Sequence, residues 1–156
     1  MGVYQFEKEQ VIPASLEEVW DFISSPKNLK EITPDYLDFR ITSSHLPEKM
    51  HPGMIIKYKV RPLLSIPTTW VTEITQVEKL KFFVDEQRVG PYAMWHHQHH
   101  VEKTKNGVRM KDIVTYRPPF GIIGNIAQSL FIKKKLNEIF DYRIEAINKR
   151  FGPSIV

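Results

Sequence analysis

The sequence predicts an α+β domain in which a curved antiparallel sheet of about seven strands wraps around a long C-terminal helix, with two short helices after the first strand. From Asp35 to Arg117 the apolar residues alternate with period two, and turn residues recur about every 10 to 15 positions. The residues just before Asp35 and the stretch 122–151 show helical periodicity instead. Strands joined by such short turns pair antiparallel, and the helices cover the sheet.

The first strand and the two short helices are predicted from local signals. Apolar and polar residues alternate over Tyr4–Ile12, which is typical of a half-buried strand. Ser15 and Glu18 form a capping box, because the Ser15 hydroxyl accepts an amide of the first turn while Glu18 reaches back to the cap. A second short helix is predicted to begin at Pro26 and to end before Pro34.

Six further strands are predicted, at 36–46, 53–62, 67–77, 81–89, 93–104 and 107–117. Asn106 and Gly107 are the strongest turn signal, because both residues accept the positive φ of a type I′ hairpin turn. Where the two faces differ clearly, alternation places these residues inward: Leu37, Phe39, Ile41, Met54, Ile56, Tyr58, Val60, Val108, Met110, Val114 and Tyr116.

Two opposite charges are predicted to face the same interior. The long helix, Ile122–Phe151, has an apolar arc formed by Leu136, Ile139, Phe140, Ile144, Ile147 and Phe151, and Arg143 lies in the middle of it. Asp112 shares the inward face of its strand with Met110 and Val114. Because an unpaired buried charge is very costly, we expect Arg143 to meet an acceptor, with Asp112 and Asp85 as its partners.

The most unusual stretch is 90–101, which contains four of the six histidines. Alternation divides its second half into one face with Trp95, His97, His99 and Val101 and another with Met94, His96, Gln98 and His100. Because Trp95 and Val101 are the more apolar pair, we assign His97 and His99 to the interior. The preceding strand has Phe83, Asp85, Gln87 and Val89 on one face, but both of its faces mix apolar and charged residues.

With these assignments, a polar cluster shares the interior with aromatic residues: Asp85, Gln87, His97, His99, Asp112 and Arg143 with Tyr58, Trp70, Trp95 and Tyr116. Three interpretations stay open. The cluster is a satisfied hydrogen-bond network that fixes the core, or the polar end of a ligand pocket with aromatic walls. In the third interpretation it is catalytic or metal-binding, because two histidines at i and i+2 with an acid ligate Zn²⁺ or iron, and a His/Asp pair acts as a general base.

Length and composition exclude several classes of protein. The 156 residues fit one domain, 1–156. The absence of cysteine excludes disulfides, thiolate metal sites and cysteine nucleophiles. We see no signal peptide and no apolar run of about 20 residues, and we expect a cytoplasmic protein without an integral membrane segment. The charge of +4 is scattered apart from 133–135, which we interpret as a solvated helix face and not as a nucleic-acid site.

The order of the elements is the helix-grip arrangement, and the residues themselves carry a resemblance. The matching segments are Pro13–Trp20, Ser25–Leu29, Trp70–Thr75, Phe83–Gln87, Gly90–Tyr92, Trp95–His99, Asp112–Tyr116, Pro119–Gly121 and Phe140–Arg143. The chain resembles the START/SRPBCC superfamily of birch-pollen-allergen-like proteins, polyketide cyclases and coenzyme Q-binding START proteins. Within it, the chain is most similar to small bacterial ligand-binding proteins described as cell-division-inhibitor-like.

The resemblance covers nearly the whole chain. Its opening motif is generic to the superfamily, whereas the set from Trp70 to Arg143 is specific to the subgroup. It implies a hollow between a curved sheet and the long helix that holds a lipid-like, sterol-like or aromatic molecule. It also favours Phe83, Asp85 and Gln87 as the inward face of their strand.

We therefore expect a non-enzymatic binding or carrier protein for a small, largely apolar ligand with a polar or anionic head. The predicted ligand-binding residues are Tyr58, Trp70, Asp85, Gln87, Trp95, His97, His99, Asp112, Tyr116 and Arg143; no catalytic residue, metal or cofactor is assigned. One alternative is a cyclase- or hydrolase-type enzyme that uses His97 or His99 with Asp85 or Asp112. Another is a protein-interaction module, because 122–132 is apolar all round and allows a weak homodimer.

Overall fold

Seven antiparallel strands form one sheet in the computed structural model, which describes residues 2–61, 66–120 and 131–155. The strands are β1 (Tyr4–Ile12), β2 (Arg40–Ile41), β3 (Met54–Val60), β4 (Thr68–Glu78), β5 (Phe82–Val89), β6 (Met94–Thr104) and β7 (Gly107–Arg117). Their order is β1-β7-β6-β5-β4-β3-β2, so each strand from β2 to β7 pairs with the next in sequence and β1 closes onto β7. The predicted α+β helix-grip fold is confirmed.

The helices of the described residues are α1 (Leu16–Ile23), two 3₁₀ helices (Pro26–Lys30 and Asp35–Leu37) and α2 (Lys133–Phe151). Helix α1 begins at the predicted capping box: the Glu18 N–H donates to Ser15 Oγ at 3.2 Å, and the Ser15 N–H donates to Glu18 Oε2 at 3.0 Å. The second short helix begins at Pro26 as predicted, but it is a 3₁₀ helix. None of the described helices combines the length and the apolar character that a membrane span requires.

The predicted strand at 36–46 is wrong in extent, because only Arg40–Ile41 pairs with β3. A 3₁₀ helix occupies its beginning, and Asp38 then adopts a left-handed conformation with φ of 46°. Asp38 tolerates this conformation better than most residues do, and its carboxylate pairs with Arg40 at 2.7 Å. At the other end, the N–H groups of Thr42 and Ser43 both donate to the Lys57 carbonyl, so regular pairing stops there.

The β6–β7 hairpin forms where it was predicted, but its turn is not type I′. The two residues between the paired Thr104 and Gly107 are Lys105 and Asn106. Asn106 has no positive φ, whereas Gly107 has φ of 138°. A Cβ atom on Gly107 would lie well inside van der Waals contact with the Ile12 carbonyl oxygen. Glycine is therefore required here both for its φ and for the close approach of the end of β1.

Helix α2 covers the sheet with the apolar arc predicted for it. Its buried residues are Leu136, Phe140, Arg143 and Ile147. The ring centroid of Phe140 lies 5.0 Å from that of Phe6 on β1. Most of the segment proposed as an interaction surface, 122–130, lies outside the described residues; beyond it, Phe131 is exposed and Ile132 is buried.

In the described part of the chain the core has two parts, and a hollow lies between the sheet and α2. One part packs α1 against the sheet and the C-terminal half of α2, through residues such as Trp20, Phe83 and Ile147. The other surrounds the N-terminal half of α2 and includes Trp70 and Phe140. The candidate functional site lies beside this second part.

Candidate functional site

A cavity of about 170 Å³ lies between the sheet, the 3₁₀ helices and α2. Its walls are mainly aromatic and aliphatic: Leu29, Ile32, Thr33, Leu37, Phe39, Tyr58, Val60, Trp70, Tyr92, Trp95, Leu136, Ile139 and Phe140. Among the described residues, four side chains that are acidic, basic or imidazole complete the lining, namely Asp85, His97, His99 and Arg143. An apolar body with a small polar part fits such a lining.

The aromatic wall is built around Trp70 on β4. Its ring stacks on Tyr58 of β3, with centroids 5.9 Å apart and planes 17° apart, and meets the edge of Trp95 on β6 at 5.4 Å and 89°. The indole Nε1–H of Trp70 is buried and has no acceptor among the described residues. An indole N–H usually finds a partner when it is buried, so this donor lacks the partner that such a group normally has.

The polar cluster is produced by the register of three neighbouring strands. His97 and His99 lie two residues apart on β6 and therefore on the same face. Asp85 on β5 is directly opposite His97, and Asp112 on β7 is directly opposite His99. The central strand thus presents two imidazoles between two carboxylates.

Each imidazole contacts both carboxylates. Asp112 Oδ1 lies 2.9 Å from His97 Nε2 and 3.0 Å from His99 Nδ1. Asp85 Oδ2 lies 2.6 Å from His99 Nε2 and 3.4 Å from His97 Nδ1. The two imidazole rings also lie against each other, with centroids 3.7 Å apart and planes tilted by 36°, and the Phe83 ring stacks on His99 with centroids 4.0 Å apart.

Arg143 reaches the cluster from α2 and is only 8% exposed. Its Nη2 lies 3.4 Å from Asp112 Oδ1 and 3.3 Å from His99 Nδ1. Its Nε is buried and has no acceptor among the described residues. The expected pairing of Arg143 with Asp112 is therefore present, and one guanidinium donor is left over.

The pKa directions assign the charges of the cluster. Burial would raise the pKa of Asp112, but Arg143 and the imidazoles outweigh it and hold that pKa well below its usual range. The pKa of Asp85 is lowered too, because the two imidazoles outweigh its burial. Burial and the nearby charge of His99 lower the pKa of His97. Burial is outweighed at His99, where hydrogen bonds to Asp112 and Asp85 raise the pKa.

These directions favour a cluster without net charge. The lowered pKa values keep the carboxylates of Asp85 and Asp112 ionised beside the Arg143 guanidinium, and the proton is favoured on His99 and disfavoured on His97. Buried charges are tolerated when they are paired in this way. His99 then donates from both ring nitrogens, while His97 donates from Nε2 to Asp112 and keeps an unprotonated Nδ1.

Of the residues that the sequence assigned to ligand binding, seven line the cavity: Tyr58, Trp70, Asp85, Trp95, His97, His99 and Arg143. Asp112 lies behind the two imidazoles. Tyr116 is buried and packs against the rings of Tyr92 and Trp95. Neither of these two side chains lines the cavity.

Gln87 also lies outside the lining, and its amide holds a turn. Its Nε2 donates to the Tyr92 carbonyl at 2.7 Å, and the Tyr92 N–H donates to its Oε1 at 3.2 Å. A Cβ atom on Gly90 would overlap Gln87 Oε1, so a larger residue there would displace the Gln87 amide. Gln87 therefore positions Tyr92, which does line the cavity.

Sequence reasoning did not assign several wall residues to the site, among them Tyr92, Phe39 and Phe140. Phe39 and Phe140 had been placed on inward faces, but the pattern of one element does not show which buried side chains border a hollow. Tyr92 follows a Gly-Pro pair, and only its position in the resemblance segment 90–92 marked it.

Residues 12–137 match the family described as polyketide cyclase/dehydrase and lipid transport. The chain belongs to this family. The resemblance to START/SRPBCC proteins is thereby confirmed, and the polyketide cyclase/dehydrase and lipid transport family gives the chain a ligand-binding role of the SRPBCC type. A comparison with curated proteins gave no match.

Solved structures show the same fold for this member of the polyketide cyclase/dehydrase and lipid transport family. Protein CV1439 from Chromobacterium violaceum has a TM-score of 0.71 and 10% identity, with 96% of this chain and 97% of that chain covered. TTHA0849 from Thermus thermophilus has a TM-score of 0.65 and 17% identity, with 96% and 97% covered. Ara h 8.0201 has a TM-score of 0.60 and 16% identity, with 95% and 99% covered. At these identities the similarity shows the fold alone.

Proposed function

We propose that the protein binds a small, largely apolar molecule with an oxygen acceptor in the cavity between the sheet and α2. The lining supports an apolar body, because most of it is aromatic or aliphatic. The polar cluster supports an uncharged oxygen, such as that of a ketone, because its own charges already cancel. The ligand-binding residues would be Tyr58, Trp70, Asp85, Trp95, His97, His99 and Arg143 in direct contact. Asp112 and Tyr116 would position some of them, and Gln87 would act through Tyr92.

The size of the cavity supports a ligand about as large as one aromatic ring, or a larger ligand that inserts a part of that size. Its volume is about 170 Å³. An engineered cavity of about 150 Å³ in another protein binds benzene, whereas pockets for drug-sized molecules measure roughly 300 to 1,000 Å³. A single ring with a short substituent fits these dimensions.

The buried Trp70 Nε1–H is the observation that carries the proposal. A buried donor without an acceptor costs about 1–3 kcal/mol, and none of the described residues supplies an acceptor. Trp70 lines the cavity, and so does Arg143, whose Nε is also unpartnered among the described residues. An oxygen acceptor on a ligand would satisfy a donor for which the described residues supply no acceptor.

The test compares two ligands of nearly the same shape, acetophenone and α-methylstyrene, which differ in a carbonyl oxygen. Binding is measured in EDTA, so that no metal ion is present. We expect the protein to bind acetophenone about five- to tenfold more tightly than α-methylstyrene, as for one net hydrogen bond. Trp70→Phe keeps a ring but removes the N–H, and should bring the ratio close to one. Affinities are measured by NMR titration.

Trp20→Phe is the matched control, because Trp20 is equally buried but does not line the cavity. It should keep the wild-type preference for acetophenone. Benzoate should bind more weakly than acetophenone, since a further buried charge would be uncompensated. Failure of both neutral ligands to bind, or an unchanged ratio in Trp70→Phe, would contradict the proposal.

Acid–base catalysis in the same cavity is the second candidate function. It is supported by His97, a neutral imidazole that lines the cavity, has an unprotonated Nδ1 and is oriented by Asp112. The test is turnover of a panel of polyketide-like dicarbonyls and esters. Turnover that His97→Gln abolishes without loss of acetophenone binding would favour catalysis, and an inert panel would count against it.

A further inference from the structure

We propose that Asp85, His97 and His99 form a binding site for one divalent transition metal ion in the cavity wall. One ligand atom from each of the three side chains lies within 4.8 Å of the others. All three side chains line the cavity, so the remaining coordination positions of the ion would face the ligand space. The proposal does not depend on the proposed aromatic ligand.

Asp112 already holds both imidazoles in the orientation that a metal site needs. Its Oδ1 contacts His97 Nε2 at 2.9 Å and His99 Nδ1 at 3.0 Å. Metal-binding histidines almost always donate their other ring N–H to a carboxylate or carbonyl, which fixes the tautomer and the direction of the metal-facing nitrogen. Here one carboxylate does this for two rings, and Arg143 Nη2 balances its charge from 3.4 Å.

The nitrogens on the opposite side of the two rings converge on a single oxygen. Asp85 Oδ2 lies 2.6 Å from His99 Nε2 and 3.4 Å from His97 Nδ1. If both rings donate to Asp112, these three atoms face one another with lone pairs and no hydrogen. One proton on His99 satisfies only one of the two contacts, and the lone pair of His97 Nδ1 still faces Asp85. A metal ion satisfies all three atoms at once.

The donor set selects the class of metal. Two imidazole nitrogens and one carboxylate oxygen suit Zn²⁺, Co²⁺ or Fe²⁺, whereas Ca²⁺ and Mg²⁺ prefer oxygen ligands throughout. With a divalent ion, two carboxylates, one guanidinium and two neutral imidazoles sum to a single positive charge. The metal-loaded cavity would therefore accept one anionic group, unlike the metal-free cavity.

The chain provides matched controls on the same strand. His96 and His100 lie on the opposite face of β6 and are half-buried. His96 Nδ1 contacts Glu86 Oε1 at 2.9 Å, and His100 Nε2 contacts Gln98 Oε1 at 3.0 Å. They are histidines in the same local sequence, and neither belongs to the proposed site.

The experiment adds Co²⁺ alone to the full chain after removal of metals with EDTA. Equilibrium dialysis with elemental analysis gives the stoichiometry, and the visible absorption of Co²⁺ reports its coordination. We expect one Co²⁺ per chain, displaced by Zn²⁺ but not by Ca²⁺ or Mg²⁺. His97→Gln and Asp85→Asn should weaken binding by at least about 100-fold, Asp112→Asn by about 10- to 100-fold, and His96→Gln and His100→Gln should not change it.

Circular dichroism and thermal unfolding show whether each variant is folded. Asp85→Asn is the decisive variant if His97→Gln does not fold, because the Asp85 side chain is 15% exposed and its replacement is nearly isosteric. Absence of Co²⁺ binding by the wild type, or binding that survives in Asp85→Asn, overturns the proposal. So does binding that depends on His96 or His100. Acetophenone binding is measured separately in EDTA, so failure of the metal site leaves the proposed ligand function standing.

Discussion

At the scale of single residues, the centre of the molecule is a set of charges that satisfy one another. Arg143 from α2 contacts Asp112, and the two imidazoles lie between Asp112 and Asp85. Removal of one charged member leaves its partner buried without compensation. The resulting loss of stability exceeds the net contribution of the ion pair. The cluster therefore ties the helix to the sheet as well as lining the cavity.

Arg143→Leu should lower the free energy of unfolding by about 3–5 kcal/mol, as expected when one partner of a buried ion pair is removed. The double variant Arg143→Leu with Asp112→Leu should lose less than the sum of the two single variants, because no charge is then left alone. Urea unfolding measures all three. Additive losses would show that Arg143 and Asp112 are not coupled. The control is Arg109→Leu, which removes an exposed ion pair with Glu102 and should change the free energy of unfolding little.

In the metal-free protein at neutral pH, His99 should carry protons on both ring nitrogens and His97 only on Nε2. The reasons are the carboxylate contacts of both His99 nitrogens and the lowered pKa of His97. Imidazole ¹⁵N chemical shifts measure these states directly. Two neutral rings, or the reverse assignment, would contradict a cluster in which His99 is the charged imidazole.

At the scale of elements, short connections position the site residues. The Gln87 amide holds the turn that carries Tyr92. At the opposite end of the sheet, Gly107 lets the β6–β7 hairpin approach the end of β1. A substitution in either connecting turn would therefore disturb the backbone, and in the first turn it would also disturb a residue of the cavity wall.

Gly107→Ala should destabilise the protein by about 2 kcal/mol or more, since a side chain at positive φ costs roughly 1–2 kcal/mol and the new Cβ would also overlap the Ile12 carbonyl oxygen. Gly53→Ala is the matched control. Gly53 also has positive φ, of 82°, but nothing lies within 4 Å of a Cβ there, so only the conformational cost applies. Equal losses of unfolding free energy in the two variants would refute the role of the Ile12 contact.

At the scale of the whole molecule, the fold is shared with proteins whose sequences differ from this one almost throughout. CV1439 covers 96% of the chain with a TM-score of 0.71 at only 10% identity. A sheet wrapped around a helix thus tolerates nearly complete replacement of its sequence, and function must be argued from the site. In this chain the candidate site is a small aromatic cavity beside a buried polar cluster.

Stability of the metal-free protein should fall steeply in acid. Among the described residues, Glu18, Asp38, Asp85 and Asp112 all have a lowered pKa. Their contribution is fully present above the ordinary carboxyl pKa of about 4 and is lost as the pH falls through the lowered values. His99, whose pKa is raised, has the opposite pH dependence. The stability that it contributes is present below about pH 6.5 and is lost as the pH rises through the raised pKa.

Urea unfolding over a pH series measures this dependence. Asp112→Asn should be less stable at neutral pH and should lose less stability on acidification, because a group that no longer titrates cannot bind protons on unfolding. If the free energy of unfolding falls with acid as steeply in Asp112→Asn as in the wild type, Asp112 does not contribute to the acid sensitivity.

The sequence by itself determined most of the fold, because its signals are local. Hydrophobic periodicity placed five of the six strands after Asp35 close to their observed bounds, and the capping box placed the start of α1. It also placed Asp112 and Arg143 in the interior, where both are buried. The failures, the short β2 and the turn before Gly107, depend on backbone conformations that alternation does not encode.

The site was decided by the tertiary structure. Periodicity assigns a residue to a face, but only the register of β5, β6 and β7 sets Asp85 opposite His97 and Asp112 opposite His99. The same packing turns Gln87 toward a backbone turn, leaves Trp70 Nε1 without an acceptor among the described residues, and sets the cavity at about 170 Å³. Register and cavity size arise from contacts between residues distant in sequence, and local patterns do not contain that information.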